Sequence, residues 1–149
     1  GRRRGAAGSL HNRTFNEHGS WIVDVSFTSY GGSNQNEILS GSVAGDIRAW
    51  DIRTPSRSLR DIEVQRSPMT ALSVHKKIPI AATGSHAQFI KILTLEGETL
   101  QVARFHEESL PGHRIGPVSC VEFHKQKLVL AAGSTNALVS IYQPRKPRS

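Results

Sequence analysis

The chain of 149 residues is long enough for one domain with its own core, and 37% hydrophobic with 21% charged residues is ordinary for a globular protein. No apolar run reaches the roughly 18 residues of a membrane span, and no charged-then-apolar leader marks secretion. Lys and Arg number 19 against 12 acids, for a net charge of +7, but the excess sits at the ends: twelve of each sign lie between residues 14 and 144.

The chain opens GRRRGAAGSL without Met, as a fragment or a processed piece does. Residues 1–12 read as a flexible basic segment, and residues 144–149, with Lys146 and Arg148, as a second basic tail. LHNRTF (residues 10–15) is expected to be the outer strand of a preceding unit. A single cysteine, Cys120, excludes an internal disulfide framework and fits a reducing compartment.

From His18 onward one pattern recurs three times. WIVDVSF (21–27), MTALSVH (69–75) and VSCVEFH (118–124) alternate with the period of a strand. Each is followed by an apolar run into Gly-Ser, a short turn and a second alternating run: EILSGSVAGDIRAWD (37–51), PIAATGSHAQFIKILT (79–94) and LVLAAGSTNALVSIYQ (128–143). SLRDIEV (58–64) and TLQVARF (99–105) add a more polar strand to the first two units. The tail QPRKPRS is too polar and proline-rich to do so for the third. Gly41, Gly84 and Gly133 are separated by 43 and 49 residues, the period of propeller blades. Helical periodicity is nearly absent. The expected fold is all-β, with repeats over about 18–64, 67–105 and 113–143. Three blades cannot close a ring, so further blades or a partner are expected to cover the ends.

These units resemble WD40 repeats over about residues 13–143. In that family a His before the first strand, a Ser or Thr on the second, an Asp in the next turn and a Trp form one hydrogen-bonded set. His18, Ser40 and Trp50 fill three places, and Asp51 completes the Trp-Asp dipeptide. Ala44 holds the Asp place, with Asp46 two residues late, so the network is expected to be incomplete. Thr83 and Leu93 fill the Ser/Thr and Trp places of the second repeat, and Ala132 and Tyr142 those of the third. The resemblance implies the last three four-stranded blades of a larger, seven-bladed ring, with Trp50 packed between blades.

A closer likeness covers the loops. RFHEESLPGHRIGPVSCVEFHKQKLVLAAGSTNALVSIY (104–142) resembles the end of the raptor family, scaffold subunits of TOR complex 1. HGSWIVDV, SGSVAGDIRAWDIR and MTALSVH match that family's upstream tracts, while Leu110 and Lys125 depart from it. The resemblance implies a non-enzymatic scaffold that binds the TOR kinase and other complex subunits and recruits TOR's protein substrates. It also implies a cytoplasmic location, peripheral at the lysosome or vacuole surface.

The seven histidines (11, 18, 75, 86, 106, 113 and 124) show no metal-ligand spacing, and one cysteine cannot build a zinc site. No nucleophile elbow, P-loop or dinucleotide fingerprint occurs. No catalytic, metal or cofactor site is therefore assigned. Aromatics are only 6% and form no stacking array, which argues against nucleic acid as a partner. Cys120, on an alternating strand, reads as inert core. His75 and His124 end equivalent strands, which points to a repeated structural role.

Two features are candidate contacts. WDIR (50–53) resembles the box by which some WD40 proteins dock on a cullin–RING ligase adaptor. Arg53 would make that contact, unless it only pairs with Asp51. The insertion HEESLPGHR (106–114) lengthens the third unit, and loops carry function more often than strands do. It offers His106, Glu107, Glu108, His113 and Arg114 to a partner.

Overall fold

The computed structural model describes residues 8–28, 36–54, 57–106 and 113–145. Among them are eleven strands and no helix. The first sheet holds β1 (Ile22–Phe27), β2 (Glu37–Ser42), β3 (Asp46–Asp51) and β4 (Arg60–Glu63), antiparallel and in that order. The second holds β5 (Met69–Val74), β6 (Ile80–Ser85), β7 (Phe89–Thr94) and β8 (Thr99–Ala103). The third holds only β9 (Val118–Phe123), β10 (Leu130–Ser134) and β11 (Val139–Tyr142). The expected four strands per sheet thus hold for two sheets, and the described residues after Tyr142, 143–145, add no fourth strand to the last.

The sheets stack face to face, with β1 beside β5 and β5 beside β9. Leu39, Ile47 and Ala49 of the first sheet meet Met69, Leu72, Val74, Ala81 and Leu93 of the second. Ile80, Ala82 and Ile90 on the other side of the second sheet meet Val118, Phe123, Leu130 and Ala132 of the third. Each fully buried Val, Leu, Ile, Phe or Met side chain among them stabilises by about 1.5–3 kcal/mol. The central sheet is covered on both sides, which is why every residue of β6 is buried.

Period-2 alternation decides what the two end faces carry. Val25 and Phe27 of β1 are 60% and 59% exposed, and Val139 and Ile141 of β11 are 78% and 59% exposed. Cys120 is on this second open face and is exposed, so the expectation of a core cysteine is wrong. Its alternation is correct, but no described sheet packs over that side. LHNRTF is not a strand either. No described strand pairs with it. Instead Arg13 donates to the Ile52 carbonyl, and the Phe15 ring lies 4.9 Å from that of Trp50.

The turn before the third strand of each sheet repeats its backbone. Gly45 (φ +93°), Gln88 (φ +67°) and Ala137 (φ +66°) hold one position of the three units in the left-handed region. Only glycine adopts that region without a steric cost. Ala137→Gly is therefore expected to stabilise by about 0.5–1 kcal/mol, the relief of strain less the added chain entropy, read by denaturant unfolding.

Candidate functional site

The polar centre of the first sheet is a chain of donors. Trp50 Nε1–H donates to Ser40 Oγ at 2.7 Å, and Ser40 Oγ is 2.7 Å from His18 Nε2. His18 Nδ1 lies 2.8 Å from Asp46 Oδ2. Facing a carboxylate, Nδ1 must carry a hydrogen, so in the neutral ring Nε2 accepts from the serine hydroxyl. Ser42 donates to the other oxygen of Asp46 and also accepts from Ala44 N–H.

The expectation of an incomplete network is thus corrected: Asp46, not residue 44, closes it. The reason is the strand register. Ser40 pairs with Arg48 and Ile38 with Trp50, so Ser40, Asp46, Arg48 and Trp50 share one face of the sheet. Parity along β3 carried that signal, whereas counting along the turn hid it. Trp50 is 2% exposed and Ser40 5%. The tryptophan does not pack between described sheets; it lies on the face away from the second sheet, under Phe15 and His18.

An ionic rim surrounds the chain. Arg48 Nη1 donates to Glu17 at 2.9 Å, and its Nη2 is 2.9 Å from Asp61. Glu17 also accepts from the Ser58 hydroxyl at 2.7 Å and from its N–H at 3.0 Å, and the hydroxyl bond does most to lower its pKa. Burial alone would raise the Asp46 pKa, but the Ser42 hydroxyl and the His18 ring more than offset it, and the pKa is lowered.

Asp46→Ala is expected to cost about 1–3 kcal/mol, because it strands the His18 and Ser42 donors. Since the folded pKa of Asp46 is lowered, its contribution is present above the ordinary carboxylate range and is lost as pH falls through the folded value. Denaturant midpoints of wild type and Asp46→Asn should accordingly converge as the pH is lowered from 7.

The second sheet replaces this chain. Thr83 donates to Gln65 Oε1 at 3.2 Å, Lys91 reaches the Val64 carbonyl, and Leu93, in the Trp place, joins the core between sheets. Gln65 and Lys91 lie outside the repeat's motif positions, so nothing in the spacing singled them out. In the third sheet Ala132 joins the apolar core, and the partly buried Tyr142 packs against it. Burial pushes the Tyr142 phenol pKa up.

Asp51 and Arg53 form a two-pronged ion pair. Arg53 Nε donates to Oδ1 at 3.0 Å and Nη2 to Oδ2 at 2.8 Å, while the Arg53 N–H also bonds Oδ1. These bonds, the side-chain ones first, hold the Asp51 pKa at about 2. The Arg53 side chain stays 63% exposed.

At the insertion, Phe105 bridges to Arg114, and His106 N–H donates to the His113 carbonyl at 2.8 Å. Arg114 Nη2 donates to the Ala87 carbonyl at 3.1 Å. His106, His113 and Arg114 therefore converge on a groove of about 490 Å³ with Asn136 and Ser140. Glu107 and Glu108 lie outside the described residues, as do the arginines of residues 2–4, Lys146 and Arg148. Among the described residues no group of three or more His, Cys, Asp or Glu could hold a metal ion. Among the described residues no helix is long and apolar enough to cross a membrane.

The WD domain, G-beta repeat family matches residues 10–51 and 105–143, more than half of the chain. The chain belongs to the WD40 repeat family. Its three sheets are blades of a WD40 β-propeller, and the relay from Trp50 to Asp46 is the polar set of the first blade.

Sequence relatives narrow the likeness to raptor. Regulatory-associated protein of TOR 2 from Oryza sativa is 47% identical over 81% of the chain, which spans 9% of that protein. Target of rapamycin complex 1 subunit mip1 from Schizosaccharomyces pombe is 35% identical over 87% of the chain, which spans 10% of it. Among solved structures, Chaetomium thermophilum Raptor superposes with a TM-score of 0.71 at 25% identity, over 85% of this chain and 12% of that one. The chain thus spans about a tenth of the length of the curated relatives it matches.

Proposed function

We propose that these blades serve a raptor-like scaffold subunit of TOR complex 1, supporting TOR kinase assembly and substrate recruitment in nutrient-responsive growth signalling. The observation that carries the reading is the 47% identity, over 81% of the chain, to a regulatory-associated protein of TOR. The propeller fold fits it, because rigid sheets present loops and faces to proteins. The mechanism is proximity: a substrate held beside the kinase meets it at an effective concentration of order millimolar. The loop over 106–114 is proposed as a partner contact, and the cytoplasm and lysosome or vacuole surface as the place of action.

The exposed Arg53 guanidinium favours a second reading, docking on a cullin–RING adaptor. Affinity purification of the tagged full-length protein from its own cells, read by mass spectrometry, separates the two. Recovery of TOR kinase, unchanged by Arg53→Ala, is expected. Recovery of a cullin adaptor without TOR, abolished by Arg53→Ala, would sink the scaffold reading.

A further inference from the structure

The joint between the second and third blades is held by three polar side chains at one edge of the stack. Thr70 Oγ1 donates to the Val118 carbonyl at 2.5 Å, and Ser73 Oγ accepts from Phe123 N–H at 3.1 Å. His75 Nε2 lies 3.0 Å from the Lys127 carbonyl, in the hairpin between β9 and β10. The other ring nitrogen fixes the proton: Nδ1 accepts from Lys77 N–H at 3.0 Å and Ile78 N–H at 3.2 Å, so Nε2 carries the hydrogen in the neutral ring. The ring is fully buried and stands edge-on to Phe123, with centroids 5.3 Å apart.

His124 ends β9 as His75 ends β5, and it repeats the inner half of this arrangement. Its Nδ1 accepts from Gln126 N–H and Lys127 N–H, both at 3.0 Å. The same tautomer follows, with the hydrogen on Nε2. The outer half has no counterpart in the described residues. His124 is exposed, as is Glu122 in the place of Ser73. Glu122 and His124 share the open face with Cys120, Val139 and Ile141, by register across β9, β10 and β11. That face pairs a preset imidazole donor with a carboxylate acceptor beside an uncovered apolar strip.

We propose that His124 is a second latch, whose Nε2–H donates to a backbone carbonyl in the first hairpin of a further β-blade seated on this open face. The blade belongs to the full-length protein, whose relatives are about ten times longer than the chain. Continuity with the neighbouring joint supports this occupant: there the same ring, in the same tautomer, meets such a hairpin. Glu122 accepts a first-strand N–H of that blade, as Ser73 does from Phe123. The inference does not depend on what the propeller binds.

Hydrogen exchange of the full-length protein, resolved by peptide, tests it. His124→Asn keeps an acceptor near the Nδ1 position and removes the reach of Nε2. Residues 125–129 should keep their protection, while a hairpin in a blade outside residues 118–142 exchanges about five-fold faster, as loss of one hydrogen bond gives. Unchanged exchange everywhere outside residues 118–142 overturns the latch. Should that variant fail to fold, histidine acylation of the wild-type protein decides. Protection of His124 comparable to that of His75 is expected. Ready labelling like that of exposed His86, or protection that vanishes on dilution as a second copy leaves, overturns the proposal.

Discussion

Trp50→Ala is expected to destabilise the protein by about 3–5 kcal/mol, the range for removing a large buried aromatic. Three losses add up. The indole is 2% exposed, so its transfer term is nearly complete. The cavity lies between β3 and the crossing segment that carries Phe15 and His18, so Phe15 loses the surface it lies on. Ser40 loses the donor that orients its hydroxyl toward His18. Trp50→Phe keeps most of the apolar volume and removes only the N–H, so it should cost no more than about half as much. Urea unfolding of the two variants checks both figures, and equal losses would locate the effect in the hydrogen bond rather than in packing.

Gly45→Ala is expected to cost about 2–4 kcal/mol, although alanine is small. The backbone there has φ +93°, which costs a side chain about 1–2 kcal/mol. A Cβ would also stand 1.9 Å from the Gln65 carbonyl oxygen, a backbone atom that cannot rotate away. The turn and the end of β4 are tied together, since Val64 N–H and Gln65 N–H both donate to the Gly45 carbonyl, at 2.9 and 3.2 Å. Moving Gln65 strains those bonds and its contact with Thr83 in the second blade. Gly19→Ala is the control, because nothing lies within 4 Å of its added Cβ, and a change within about 0.5 kcal/mol is expected.

Strands and repeats were legible because their signals are local. Alternation marks each strand, Gly-Ser marks each second strand, and Ile47 and Ala49 fall on the core side of β3 as their parity requires. Asp46 was misread because motif spacing was counted along the turn, whereas the register of β2 and β3 decides which residue meets His18. The face it shares with Trp50 was visible in the same six residues. Gln65 and Lys91 stayed hidden because their partners are a neighbouring side chain and a backbone carbonyl, and neither leaves a mark in spacing. Cys120 shows the limit of alternation: it assigns a side, and only the neighbouring sheet decides whether that side is buried.

The most direct measurement is a cryo-electron microscopy map of TOR complex 1 purified through the tagged full-length protein. The expected map contains the three sheets as consecutive blades of a propeller in the subunit beside the kinase. Phe27 and Val139 would be covered by further blades, and Asp46 would lie against His18. A complex lacking this protein, or one in which both end faces remain open to solvent, would contradict the assignment.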